Sequence, residues 1–519
     1  MPLRGAYGLW LMGLGGSRSC VTGRAGAQPS RLTTGRAGAQ PYQPLPMFKQ
    51  LFFDDQRLFV RENLERAYGE TELVGTYRDH KICTSYCWAW LIKGPDGKTH
   101  LLYQGTVSGS GKMLMAAAIS DDGIHFTPRN TAEEAGIKEP MVPNQLFPSD
   151  TDGEMAGIIE DKTAPADERY KILFTDNSQI PSLLYIQDYI LTSPDLIHWK
   201  KMQASCWNPA GTEPLLGVYF NKVSNKFTIL SRPDWGQRRV GITETNDWHY
   251  YTPLEMCLQV DSLDPALAEI YGMPALAYDD IFIGFPHIYS NFRQVLNTKY
   301  FEGTMHAELS YSLNGRHWQR SLRTPFLSGS HPQLVERDGV ASKMLFLMSA
   351  MKQDNGEILL CATTNQHEHG CPPTQIKADD TSVSFFKLRE DGFICLRTNG
   401  PTEGRVATRE IIWQAGELSV NLKAQKATCA IYGQAGNDVK PLPGYAHEDC
   451  VPFSGGSTRW TPTWKSGSTL DTMAGKTVII EIKLTDGVIY SFSGDGIPVM
   501  NQEAARYRRF GNLPQRKGF

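Results

Sequence analysis

The 519-residue chain has no excess of charge of either sign: 52 Lys and Arg face 55 Asp and Glu, a formal −3. It lacks the basic field that grips nucleic acid, so no nucleic-acid partner is expected. No run approaches the ~20 apolar residues that span a bilayer, so no membrane partner is expected either. Its ten cysteines include no Cys-x-x-Cys pair. Cys83 and Cys87 are close in sequence but need not be bonded. A chain of this size needs no disulfide staples, and buried thiols are the expectation. No cofactor is expected, because Ser108–Gly111 (SGSG) is too short and too strand-flanked for a phosphate loop. Cys361, His367, His369 and Cys371 are metal-ligand types lying close together, but their spacing fits no known zinc fold and no metal is assigned.

What the chain has is turn and strand material. Its 48 Gly and 31 Pro make up about 15% of the residues, above the ~12% average. With 11 Trp, 21 Tyr and 22 Phe, they point to many short strands and turns and exclude long helical bundles. The length exceeds the ~250–300 residues that one core supports, so two domains are expected. Residues 1–46 read as a leader. A Gly-diluted apolar run, Ala6–Gly16, follows Arg4, and TGRAGAQP occurs twice, at Thr22–Pro29 and Thr34–Pro41. A secretory signal, an organelle transit peptide and a disordered spacer all remain open, so the chain is secreted or periplasmic on the first reading only. Residues 498–519 read as a solvated basic tail.

The informative feature is a seven-residue box. Ser120–Phe126 reads SDDGIHF, Ser193–Trp199 reads SPDLIHW and Ser312–Trp318 reads SLNGRHW. A degraded copy is read at Thr243–Trp248, and a trace near Thr363. The period is roughly 61 residues, which suits four-stranded propeller blades. Each copy follows a strand-like segment. Its Asp or Asn can bond backbone N–H groups two residues on, its Gly accepts positive φ, and its aromatic packs under the turn. His125, His198 and His317 recur with that turn and are therefore read as structural. The fold expected is all-β: a five-bladed β-propeller over residues 47–397, a linker near Thr398–Arg405, and a β-sandwich over residues 406–497. The sandwich reading rests on the alternating segments Glu417–Leu422, Thr428–Tyr432, Thr477–Leu484 and Val488–Phe492.

SPDLIHW and SDDGIHF resemble the blade turns of five-bladed propeller glycosidases, such as glycoside hydrolase families 32 and 43. Gly416–Ala424, Pro441–Cys450 and Gly475–Phe492 resemble the β-sandwich that follows family 32-like propellers, and the likeness covers about residues 50–495. The resemblance implies three carboxylates around a central funnel, serving as nucleophile or base, as transition-state stabiliser and as acid. The family 32 signatures Asn-Asp-Pro-Asn-Gly, Arg-Asp-Pro and Glu-Cys are absent, so the candidates are ranked by position in each blade.

Asp79, ahead of the apolar run Ile82–Ile92, is the candidate base or nucleophile, with Asp54 and Asp55 as competitors. Asp161 is the candidate stabiliser. Glu213, before Pro214 and an apolar strand, is the candidate acid; Glu139 and Glu308 are weaker alternates. Trp88, Trp90, Trp207, Arg232, Trp235 and His287 are candidate substrate-binding residues, because sugar C–H faces pack on aromatics while amide and guanidinium groups bond hydroxyls. The expected function is hydrolysis of a glycan or oligosaccharide. The alternatives are a glycoside phosphorylase, with Arg238–Arg239 or Arg293 seating phosphate, and a non-catalytic carbohydrate-binding propeller.

Overall fold

A computed structural model describes the chain from residue 48 to residue 514, except segments 84–87, 108–109, 111, 149–150, 152, 177–186, 204–210, 214–216, 234–235, 295–300, 372–374 and 436–437. Residues 1–47 and 515–519, and with them the reading of the leader, lie outside the described residues. So do Cys87, Trp207 and Trp235.

The described residues are all-β apart from short helices, and their sheets form a propeller-like arrangement of four blades with a curled sheet beside it. The blades are antiparallel meanders. In the first, Ile82–Cys83 and Ala89–Lys93 precede Thr99–Val107, Met113–Ser120 and Thr127–Pro128. The second runs Gly153–Glu160, Tyr170–Asp176, Gln187–Ser193 and Lys200–Lys201. The third has Gly211–Glu213 and Val218–Asn221, then Lys226–Pro233, Val240–Thr245 and Glu255–Leu258. The fourth has Ala275–Tyr278, Ile281–Gly284, Ser310–Ser312 and Gln319–Arg320.

A seven-stranded sheet links Ala268–Ile270, His287–Gln294 and Phe301–Ala307, by the single parallel pair Met305↔Met344, to Met344–Lys352, Ile358–Asn365, Thr381–Leu388 and Thr71–Tyr77. The last strand comes from the N-terminal side and pairs antiparallel with Thr381–Leu388.

Each box makes the hairpin between a blade's third and fourth strands. In the first copy the Asp122 carboxylate accepts the N–H groups of Ile124 and His125, both at 2.8 Å, and the Ser120 hydroxyl accepts from Gly123. Asp195 and Asn314 do the same in their copies. The fourth box position always has positive φ: +78° at Gly123, +69° at Leu196, +72° at Gly315. Leu196 adopts it without the freedom of glycine, because the Ser193 hydroxyl holds its N–H and its side chain is buried.

Two expectations are corrected. The degraded copy starts at Thr245, not Thr243: Trp248 donates to the Thr245 hydroxyl, His249 and Tyr250 donate to Asp247, and Trp248 has φ +63°. Thr363 is not in a turn but inside the strand Ile358–Asn365. Replacing Asp122 with Ala is expected to cost about 1 kcal/mol, read as a lower urea midpoint, because two backbone donors lose their acceptor.

The curled sheet has nine strands and draws on both ends of the described chain. Phe48–Gln50 pairs with Thr477–Pro498, Leu58–Glu62 with Gly404–Thr408, and Leu64–Tyr68 with Ile394–Thr398. Two long strands, Ile411–Ala435 and Thr477–Pro498, pair from Ile412↔Ile497 to Tyr432↔Ile479. Trp413 is fully buried against Gly494, where a Cβ would stand 2.2 Å from the indole. One apolar cluster runs from this sheet through Tyr278, Phe285, Leu309, Leu347 and Phe386 of the blades, so the two parts share a core.

Asp391 fastens the same junction. It accepts from Lys49 at 2.9 Å, Tyr278 at 2.7 Å and Ser491 at 2.5 Å. Cys361, Cys395, Cys429 and Cys450 are buried free thiols. The basic tail is not wholly solvated: Asn501–Phe510 is a helix that buries Ala504, and Tyr507 donates to the Gly475 carbonyl at 3.0 Å. Among the described residues, no helix is long and apolar enough to cross a membrane.

Candidate active site at the funnel mouth

In an antiparallel meander, the start of the first strand lies at the same end as the turn between the second and third. At that end the structure gathers groups from several sheets. Glu154 opens Gly153–Glu160, Arg232 lies near the end of Lys226–Pro233, and Arg238 precedes Val240–Thr245. Glu269 is on Ala268–Ile270 with Tyr271 just beyond, and His369 is in the turn after Ile358–Asn365.

Tyr271 is the hub. The Arg232 and Arg238 guanidiniums lie 5.4 and 5.2 Å from its ring centroid, and its hydroxyl meets His369 Nε2 at 3.0 Å. Arg238 pairs with Glu269 at 2.5 Å, and Trp88 Nε1 donates to Glu154 at 3.4 Å. Beneath lies an aromatic floor. The Phe346 ring centroid stands 5.5 Å from that of Trp88, 5.8 Å from that of Tyr271 and 5.4 Å from that of His287.

Burial shapes the electrostatics. Arg232 is only 5% exposed, and burial pulls its guanidinium down to about 10 while Tyr271, Glu154 and Glu269 act to raise it. Burial pushes the Tyr271 hydroxyl up, and the two arginines counter it. Two carboxylates and two guanidiniums around one phenol thus make a compact, electrically balanced cluster. Its parts are a proton-carrying group, oriented donors and an aromatic base, which suits a polar ring-shaped ligand.

The sequence-ranked residues fall in several places. Glu213 is paired in register with Arg232, at the mouth; its side chain lies outside the described residues. Trp88 and Arg232 belong to the cluster. His287 lies under it, fully buried, with Nε2 donating to the Leu347 carbonyl at 3.1 Å. Trp90 lines a cavity lower in the channel.

Asp79 is buried and its carboxylate is filled by the Tyr103 hydroxyl at 2.5 Å, Asn144 at 3.1 Å and the Lys81 N–H at 2.9 Å. Asp161 follows the far end of Gly153–Glu160, opposite the mouth. Thr163, Trp248 and Lys171 fill its carboxylate at 2.6, 2.9 and 3.2 Å. Burial pushes that carboxyl up, but those hydrogen bonds and the Lys171 charge outweigh it and hold it low. Asp79, Asp161 and the mouth cluster share none of these partners.

Among the alternates, Glu308 is locked to Arg320 at 2.7 Å, and Asp54 accepts from Tyr311 at 2.6 Å. Arg239 turns towards the Gln237 carbonyl, and the Arg293 side chain lies outside the described residues. His367 faces Asp380 at 2.9 Å while His369 faces Tyr271, so the two histidines serve different partners. No three metal-ligating side chains gather among the described residues. Sequence reasoning missed Glu154, Glu269, Tyr271 and His369. Tyr271 lies in Ile270–Leu276 (IYGMPAL), an apolar stretch with no local mark of a polar site.

His287 gives a pH test. Burial pulls its imidazole down to about 4, against an ordinary ~6.5. Below pH ~6.5 the unfolded chain takes up a proton that the folded chain refuses, so stability falls as pH drops towards 4. The loss from this group is on the order of 3 kcal/mol. Urea unfolding at pH 7 and pH 4.5 is expected to show a smaller pH-dependent loss in His287→Phe than in the parent.

No protein-family model matches the chain, and no curated protein matches it. Solved structures do. One is described as a glycoside hydrolase of the GH130 family of mannoside phosphorylases that targets beta-1,2 mannosidic linkages in Candida mannan. It is 14% identical over 62% of this chain and 94% of its own, with a TM-score of 0.37. A second is an N-acetylgalactosamine deacetylase from F. plautii in complex with blood group B trisaccharide, at 12% identity, 64% and 97% coverage and a TM-score of 0.40. A third, a glycosyl hydrolase from Bacteroides ovatus, is 13% identical over 62% and 94%, with a TM-score of 0.35.

Proposed function

We propose that the protein is a carbohydrate-active enzyme that cleaves a glycosidic bond at the funnel mouth. The observation that carries this is the convergence of Glu154, Glu269, Arg232, Arg238 and His369 on Tyr271, above the Trp88–Phe346 floor. An oxocarbenium-like transition state needs a carboxylate close to the sugar ring and a proton on the leaving oxygen. Glu154 and Glu213 fill these roles in the proposal. Glu269, bound to Arg238, orients the guanidinium, and the arginines and His369 bond hydroxyls. Asp79 and Asp161 serve the scaffold.

The reading includes a ring of five blades. Met344–Lys352, Ile358–Asn365, Thr381–Leu388 and Thr71–Tyr77 form the fifth, and its first strand lies against those of the first and fourth blades. In the same reading the curled sheet is the sandwich of the family 32-like proteins.

A second reading, phosphorolysis, is favoured by the two guanidiniums flanking one ring, a ready seat for an oxyanion. A panel of aryl glycosides and polysaccharides, assayed with and without phosphate, separates the readings. Release of reducing sugar without phosphate is the expected result, and strict phosphate dependence supports phosphorolysis. Calorimetric binding with no cleavage of any substrate would overturn the enzyme and leave a binding propeller.

A further inference from the structure

Below the aromatic floor lies a separate chamber. Trp90, Ile159, Phe220, Leu276 and Met348, from different first strands, line a cavity of about 600 Å³. That size falls within the ~300–1,000 Å³ of small-ligand pockets, which are mostly apolar with a few placed polar groups. Phe220 is 37% exposed and Ala277 is exposed too, both towards the ends of first strands away from the mouth.

Two charged side chains border it. Glu160 is already engaged by Arg169 and by Lys162 at 3.7 Å. Lys222 is exposed and makes no ion pair among the described residues. It also borders a neighbouring charged cavity, where Asp280 pairs with Arg57 at 3.4 Å and feels the Lys222 charge from farther off. The chamber therefore combines apolar walls with one ammonium at its rim that makes no close ion pair among the described residues.

We propose that this chamber binds an amphiphilic anion, with an alkyl or aryl body on the Ile159, Phe220 and Leu276 walls and its carboxylate on Lys222. The burial of apolar surface supplies the affinity, and the ammonium selects the sign of the head group. The site is distinct from the mouth and does not depend on the glycosidic reading.

The test is titration calorimetry of the full chain with decanoate, decylamine and decyl glucoside, each below its micelle concentration. Decanoate is expected to bind one to one and at least tenfold more tightly than the other two. Lys222→Glu is expected to reverse the order of decanoate and decylamine. Ala277→Phe, which fills the chamber from its exposed edge, is expected to weaken decanoate at least tenfold with an unchanged melting temperature. No decanoate binding, equal binding of all three probes, or binding indifferent to both variants would overturn the proposal.

Discussion

Glu154→Gln is expected to slow cleavage of the substrate found in the panel by a factor of ~10²–10⁴, the usual weight of a positioned acid or base. The change keeps the shape and the acceptor oxygen that Trp88 Nε1 meets, so the melting temperature should stay within a degree or two. A loss in kcat with KM little changed would place the group in the bond-breaking step. The same substitution at Asp161 gives the contrast. Its carboxylate faces Lys171, which is 1% exposed, so Asp161→Asn leaves that cation poorly compensated. Asp161→Asn is therefore expected to lower thermal stability first and to affect turnover only through it. A Glu154→Gln enzyme with full activity would remove Glu154 from the chemistry.

Trp413→Ala is expected to lower the unfolding free energy by ~3–5 kcal/mol, the range for large-to-small changes in packed cores. The indole is fully buried, fits against Gly494 and donates to the Gly416 carbonyl at 3.1 Å. Because the curled sheet and the blades share one apolar cluster, a single cooperative transition is expected to shift as a whole. Two separated transitions in calorimetry would show instead that the sheet unfolds on its own.

The blade turns were legible in sequence because the box is a local device. Ser120, Asp122 and Gly123 satisfy one another's hydrogen bonds within four residues, so the pattern survives wherever the turn does. Where Leu196 or Trp248 replaces the glycine, backbone and core packing carry the geometry and the letters fade, hence the two-residue slip at Thr245.

The mouth was less legible because it is assembled from distant strand ends. Glu154 and Glu269 are 115 positions apart and neither carries a local marker, whereas Arg232 and Trp88 were visible as large polar or aromatic groups at strand ends. Asp161 reads as a site acid because it ends an apolar strand, and nothing local announces that Thr163 and Lys171 take its carboxylate. The role of residues 48–68 was hidden for a related reason: nothing local announces that they pair with strands more than 300 residues away.

That long-range stitching bears on how the molecule comes into being. A ribosome releases Thr71–Tyr77 long before Thr381–Leu388, and Phe48–Gln50 before everything up to Ser493. These early strands therefore wait, edges unpaired, until partners more than 300 residues downstream have been made. The nascent chain is exposed to neighbours during that interval, and the sheet closes only when Phe48–Gln50 zips onto Phe492–Gly494.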